Sequence, residues 1–415
     1  MMTQAFYTGV SGLKNYSDGI DIVSDNIANI STTGFRAYVP LFDEALTTAS
    51  AGLSPQTIGM GVRMQATAMS LDQGSLQLSD RSTDIAILGD GWFGVQGDGD
   101  ILYTRDGSFN INSDADLVTN DGLCVMGTPG GNISKDNVLT EVLNEVKLGD
   151  ITRQEKLRFP KTLTYPPEPT TKAKFIANIG VGTEPVTVGA GVIDPQNNRN
   201  HLRLEFTKKA IQTPPGTQFD VTATVQSFDG KTIYSTKNGE VSFDESGALR
   251  STTLTSIDNN GAPVAIDLGS GYDGIVSIDR PFESGTSIAD GTIGGDLRGY
   301  LISQNGEVVA TFSNGRQSSV AQIAVYHFGN DQGLNRISAT RFQESNNSGK
   351  AFFMKNATGE NIIGTDIQNF RLESSNYDMT SGLTELIILQ RAYDANSRSV
   401  TTADQMIQKA LQMDA

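Results

Sequence analysis

Both ends of the chain carry the same kind of apolar repeat, and that symmetry limits how the chain can fold. Phe6, Leu13, Ile20 and Ile27 recur every seven residues, with Gly9, Tyr16, Val23 and Ile30 three places behind them. Leu386, Tyr393, Val400 and Ile407 repeat the pattern near the C-terminus, followed by Leu389, Asn396, Ala403 and Ala410. Such 3-4 spacing draws an a/d seam along a helix, with Val10 beside the first one. The N-terminal seam predicts a helix of about thirty residues, a rod of roughly 45 Å. It should stop before Ser31-Thr32-Thr33-Gly34, where hydroxyls compete for the backbone and glycine accepts left-handed torsions. An isolated amphipathic helix is marginal, so each must bury its stripe, most simply against the other.

Pairing the ends turns everything between them into an insertion. At 415 residues the chain exceeds what one core usually serves. With 44 glycines and only 19% charged residues, that interior should be mainly β. The fold expected is therefore mainly β with a terminal α-helical coiled-coil region, in nested domains. Residues 1–70 and 365–415 form a helical unit with its connector, 71–146 and 295–364 a middle β domain, and 147–294 an outer β domain. The connector from Phe35 to about Ser70 is punctuated by Pro40, Gly52, Pro55, Gly59 and Gly61, and reads as extended chain with short strands. Strand patterns include Thr83–Leu88, Trp92–Val95, Leu202–Phe206, Phe219–Val225, Gly299–Ile302 and Gln322–Phe328. Pro166-Pro167-Glu168-Pro169 suits a domain crossing.

A formal charge of −16 repels phosphate backbones and anionic lipid, so no nucleic-acid partner is expected. No window approaches eighteen uninterrupted apolar residues, which argues against membrane insertion. The start lacks a basic region followed by an apolar stretch, so a protein that leaves the cell needs a route other than a cleaved signal peptide. Cys124 is the single cysteine, which excludes an intrachain disulfide.

Gly89-Asp90-Gly91-Trp92-Phe93-Gly94 satisfies GxGxxG, but a phosphate site needs a helix N-terminus next, and β-prone residues follow instead. A tight hairpin turn is the better reading. Asn110, Asn112, Asp114 and Asp116 alternate as calcium ligands do, yet Ala115 stands where the loop needs glycine and Asp121 where it needs glutamate. Hydrogen-bonded turns explain them better. His201 and His327 lie in no recognisable motif, and His327 interrupts an apolar strand as a core residue would. Cys124 has the apolar neighbours of an inert thiol. No catalytic, metal or cofactor site is expected, although spatial pairs among 47 acidic residues leave a glycoside hydrolase formally open.

The seams alone fit an intramolecular hairpin as well as an assembly surface. Small residues tilt the choice: Gly9, Gly12, Ser17, Ser24, Ala28, Ala392, Ala395 and Ala403 let helices approach on more than one face.

Asp25-Asn26-Ile27-Ala28-Asn29-Ile30-Ser31-Thr32-Thr33-Gly34-Phe35-Arg36 resembles the N-terminal signature of flagellar rod and hook axial proteins, with Ile30-Ser31 and Arg36 as mild departures. Leu372–Thr380 and Leu383–Ser397 resemble that family's C-terminal helix and its approach. Asp72–Leu76, Asp84–Phe93 and Tyr103–Phe109 are similar to its middle β domain, and Phe312–Arg316 through Asn330–Leu334 to its hook branch. The resemblance covers about 1–145 and 295–415. It implies a homopolymeric tube, the extracellular hook that transmits torque as a flexible joint, with the terminal helices inside. It implies export through the flagellar type III apparatus, and the distal rod, hook cap and hook–filament junction proteins as partners. A ruler protein would set hook length. Ala28, Asn29, Thr32, Thr33, Gly34 and Phe35 would be the family motif. Phe6, Val10, Leu13, Tyr16, Ile20, Val23, Ile27, Ile30, Leu386, Leu389, Tyr393, Val400, Ala403 and Ile407 would form the polymerisation seam. A distal rod protein of the same family is the nearest alternative, although the 150–290 insertion favours the hook. A secreted β-rich adhesin with a helical stalk is an alternative of another class.

Overall fold

The computed structural model describes residues 2–44 and 61–413. Gly52, Pro55 and Gly59 of the expected connector lie outside the described residues.

Helix α1 spans Met2–Ala28 and ends in turns over Asn29–Ile30, just before the hydroxyl-rich stop signal. Strands β1 (Tyr38–Glu44) and β2 (Val62–Met69) then form an antiparallel ribbon, Tyr38 opposite Met69, with a bulge between Leu41 and Phe42. The connector is thus more regular than its prolines and glycines suggest. Pro40 is tolerated because a two-stranded ribbon has only edge strands.

The outgoing half of the middle domain holds β3 (Ile85–Leu88), β4 (Trp92–Gln96), β5 (Ile101–Thr104) and β6 (Cys124–Pro129). The outer domain follows with a five-stranded antiparallel sheet in sequence order: β7 (Val186–Ile193), β8 (Arg199–Lys208), β9 (Gln218–Ser227), β10 (Ile233–Phe243) and β11 (Leu249–Thr252). Alternate residues such as Leu202, Leu204, Phe206, Val221, Ala223 and Val225 turn inward and are buried with Ala173, Val264 and Ile266 of a smaller sheet. The result is a two-layer sandwich.

The return half brings β12 (Gly295–Ile302), β13 (Glu307–Phe312), β14 (Gln317–Ile323) and β15 (Asp366–Asn369). β12, β13 and β14 join β6, β4 and β5 in one sheet, so outgoing and returning chain share a single layer. Helix α2, Met379–Met413, closes the chain. Asp378 caps it, its carboxylate accepting from the Ser381 N–H at 2.8 Å.

The two β cores divide at the proline-rich run, later than residue 147. Leu157, Phe159, Leu163 and Tyr165 are buried with the middle core, because Thr164–Tyr165 pairs with β12, while the outer core begins at Ala173. The middle core also reaches past residue 364 to Ile367, since β15 pairs with β3. That pairing corrects the hairpin reading of Gly89–Gly94. β3 and β4 are not ladder partners: β4 pairs with β5 and β6. Gly89 and Gly91, at φ +109° and +123°, carry the chain from one sheet to another.

His327 is buried with Nε2 2.7 Å from the Ile363 carbonyl, a core position. Asn112 Oδ1 accepts from the Asp114 and Asp116 N–H groups, the turn chemistry expected of that loop. Burial pushes the Cys124 thiol above its ordinary value, away from the thiolate form. Among the described residues no helix is long and apolar enough to cross a membrane.

Candidate assembly interface

The seams meet each other. A Cβ built on Gly9 would lie 2.7 Å from Val400 Cγ2, one on Gly12 2.5 Å from Asn396 Oδ1, and one on Gly19 3.5 Å from Leu389 Cδ1. Residue numbers that rise on one helix as they fall on the other make the pair antiparallel. Val23, Leu389 and Ala403 are buried; Phe6, Leu13, Tyr16, Ile20, Ile27, Ile30, Leu386, Val400 and Ile407 are half-buried. Val10 and Tyr393 stay exposed, outside the seam.

A second set of apolar side chains on the same helices has no cover among the described residues. Tyr7 is 70% exposed on α1, and on α2 Leu383, Ile387 and Ile388 are 45%, 50% and 61% exposed, with Met406 and Leu411 further along. Leu383 and Ile387 lie at i and i+4, on one face of the helix, and Ile388 follows about 100° further round.

The β1–β2 ribbon is fastened along α1 by amides and a hydroxyl. Ser11 Oγ and Asn15 Nδ2 donate to the Val62 carbonyl at 2.5 and 2.8 Å, and the Met64 N–H donates to Asn15 Oδ1 at 2.6 Å. Asn26 exchanges two hydrogen bonds with the Tyr38 backbone, at 2.7 and 3.0 Å. Tyr16 packs on Phe42 with ring centroids 5.5 Å apart.

The motif residues after α1 sit at the joint between the helices and the middle domain. Asn29 turns back to the Asp25 carbonyl, and Thr32 donates to Asn29 Oδ1. Thr33 is half-buried and Ala28 exposed. Gly34, at φ +68°, donates its N–H to the Glu373 carbonyl at 2.7 Å, and a Cβ there would come within 2.4 Å of the Asp106 nitrogen. Only glycine fits both the torsion and the contact. Phe35 is buried beneath Arg336, whose guanidinium lies 5.5 Å from the Phe35 centroid and 5.0 Å from that of Tyr38. Arg336 also pairs with Asp25 at 2.9 Å.

Sequence reasoning missed the charge cluster at this joint. Glu373, wholly buried, pairs with Arg36 at 3.2 Å and Arg105 at 3.5 Å, and accepts from the Gly74 N–H at 3.0 Å. Arg36 donates to the Asp72 carbonyl as well, and Arg105 to that of Gly89 at 2.5 Å. Burial, helped by the Arg36 charge, lowers the Arg105 guanidinium to about 10 against the pull of Glu373, Asp90 and Asp331. Beside them Asn376 accepts from the Ala37 N–H at 2.8 Å and donates to the Ser70 and Asp72 carbonyls. Four stretches of chain, around residues 36, 72, 105 and 373, thus converge on one carboxylate. Arg36 and Glu373 lie within the motif segments, yet no local pattern announces partners so far apart.

Comparison with known proteins agrees with this geometry. Residues 6–36 match the family model for flagella basal body rod proteins, 86–156 that for the flagellar hook protein FlgE/F/G D1 domain, and 368–413 that for the flagellar basal body rod FlgEFG protein C-terminal region. The flagellar hook protein FlgE of Borreliella burgdorferi is 26% identical over 451 residues, covering 99% of this chain and 100% of that protein. The FlgE of Escherichia coli K12 is 25% identical, covering 97% of this chain and 98% of its own length. The crystal structure of Helicobacter pylori flagellar hook protein FlgE2 shares the fold, with a TM-score of 0.53 and 16% identity over 72% of this chain and all of that one. With rod and hook models matching near both ends and over 86–156, and hook proteins aligned along nearly its whole length, the chain belongs to the flagellar rod and hook axial protein family as a hook protein.

Proposed function

We propose that the chain is the structural subunit of a bacterial flagellar hook and that it polymerises through the outer surface of its helix pair. The observation that carries this is the second apolar surface, because the seam residues already cover one another while Tyr7, Leu383, Ile387 and Ile388 face solvent. Completing the burial of each of these partly exposed side chains on a neighbouring copy stabilises the tube by about half of the 1.5–3 kcal/mol that a fully exposed side chain would gain. Nearly full-length similarity to hook proteins supports the same reading. The seam residues then act indirectly, by building the hairpin that presents this surface. Torque passes from the helices to the β domains through the clamp around Glu373. Bending compliance comes from polar, glycine-rich contacts between β domains, which rearrange at lower cost than a packed core.

In this reading the chain works outside the cell, after export through the flagellar type III apparatus without a cleaved signal peptide. Its neighbours are other copies, the distal rod, the hook cap and the hook–filament junction proteins.

Leu383→Asp combined with Ile388→Asp separates assembly from folding, since both side chains are exposed in the single chain. The variant should melt like the parent and form no tubes by electron microscopy; tubes of normal length would refute the surface. Leu13→Asp or Leu386→Asp should also abolish tubes, but by loosening the hairpin itself. Deleting the gene and imaging basal bodies places the protein: a complete rod lacking a hook supports the hook subunit, and a truncated rod moves it to the rod branch.

A further inference from the structure

The five-stranded sheet of the outer domain begins at β7, an edge strand of eight residues, Val186–Ile193. On one side β7 pairs with β8 along its whole length. On the other, only Ile193 is occupied: its N–H donates to Thr170 Oγ1 at 2.8 Å and its carbonyl accepts from the Thr170 N–H at 3.0 Å. From Val186 to Val192 the outward backbone groups have no hydrogen-bond partner among the described residues.

Such an edge invites another strand, and folded chains usually blunt it with charge, proline or a bulge. The opposite edge of the same sheet is blunted in this way. There the edge strand β11 is only four residues long and carries Arg250, and the stretch of β10 that β11 does not reach carries Lys237, which donates to the Ser256 carbonyl at 2.7 Å, and is bulged against β9 between Val225 and Gln226. β12 carries Asp296 and Arg298, β1 has Pro40, and β2 has Arg63. β7 reads Val-Thr-Val-Gly-Ala-Gly-Val-Ile, uncharged in a chain of net charge −16, with no proline and an unbroken register.

Two of its residues are glycines that the chain's own packing does not require. A Cβ on Gly189 would meet only the Leu202 carbonyl at 3.5 Å, and one on Gly191 only the Arg199 guanidinium at 3.5 Å, both ordinary contacts at unstrained torsions. Glycine within a strand often marks a bulge, a tight bend or a place where a ligand or another backbone comes close, and β7 has no bulge.

We propose that β7 accepts an extended segment from a second copy of this chain, so that the outer sheet gains a strand when subunits assemble. The proposal rests on the polymer reading above, which sets copies side by side. A row of alternating N–H and C=O groups is matched only by another extended backbone. Copies that repel through their net charge approach most readily where a segment carries none. β7 against β7 would relate two copies by a twofold axis and close the pair. An open tube takes a heterologous contact, so the incoming segment comes from a different part of the neighbour.

Hydrogen exchange on the full chain, monomeric and assembled into tubes, tests this. The outward amides between Val186 and Val192 should exchange at least about tenfold more slowly in tubes than in monomer. Thr187→Lys combined with Gly191→Lys, both on the solvent face, should leave monomer melting unchanged and abolish that protection. Tubes in which α2 amides slow but β7 amides do not would overturn the pairing alone, as would retained protection in the lysine variant. If the parent chain forms no tubes at all, the polymer reading fails and the pairing falls with it.

Discussion

Glu373 concentrates more of the molecule's chemistry than any residue the seams contain. It is one carboxylate between two guanidiniums, all three buried, and removing its charge leaves Arg36 and Arg105 side by side without the carboxylate that pairs with both. Glu373→Gln keeps the shape and should cost about 3 kcal/mol, read as a lowered urea midpoint with an unchanged slope. Adding Arg36→Met should recover part of that loss, because the second like charge is then gone. Neither effect could be anticipated from sequence. Arg105 stands 268 positions from Glu373, and local windows say nothing about charges at that separation. Gly34 was more legible. A glycine closing a hydroxyl-rich run marks a left-handed torsion, although its contact with the Asp106 backbone could not be foreseen.

At the scale of elements, period decided what could be read. α1 and α2 follow from seven-residue repeats, which survive any tertiary context that keeps one face dry. The long strands of the outer sandwich follow from alternation, as in β8, where Leu202, Leu204 and Phe206 all face the core. Strand partners were hidden, because pairing depends on distant chain: β3 joins β15 rather than the neighbouring β4, and Tyr165 packs with the middle core despite lying beyond the expected boundary. The helix pair supplies a test in which two effects have opposite sign. Gly9→Leu raises intrinsic helix propensity by about 0.8 kcal/mol, yet its side chain would drive into Val400. The close approach should win. Circular dichroism should show the helical signal melting earlier while the β signal is unchanged, and tubes should fail to form.

At the scale of the whole molecule the chain is a set of insertions, each leaving and re-entering its host at neighbouring points. The outer domain shows this most directly: Glu168 and Thr292 exchange two backbone hydrogen bonds of 2.9 Å. Replacing residues 170–290 by a short glycine-serine linker should therefore spare the middle core, which should unfold at the parent's denaturant concentration. Because the helix pair is untouched, tubes should still form, thinner in electron micrographs and more readily broken by shear for want of contacts between outer domains.

The clamp at Glu373 has a last consequence, which lies in time. Its parts are made at opposite ends of synthesis: Arg36 early, Arg105 later, and the carboxylate only after nine-tenths of the chain exists. The first helix must wait equally long for its partner. A chain interrupted between residues 290 and 373 can complete its outer sandwich but has neither a closed joint nor a paired helix, so it offers nothing for a growing tube to hold. Placing the two halves of the base at the two ends of the message makes completeness a condition of entry, a quality check that needs no separate inspector.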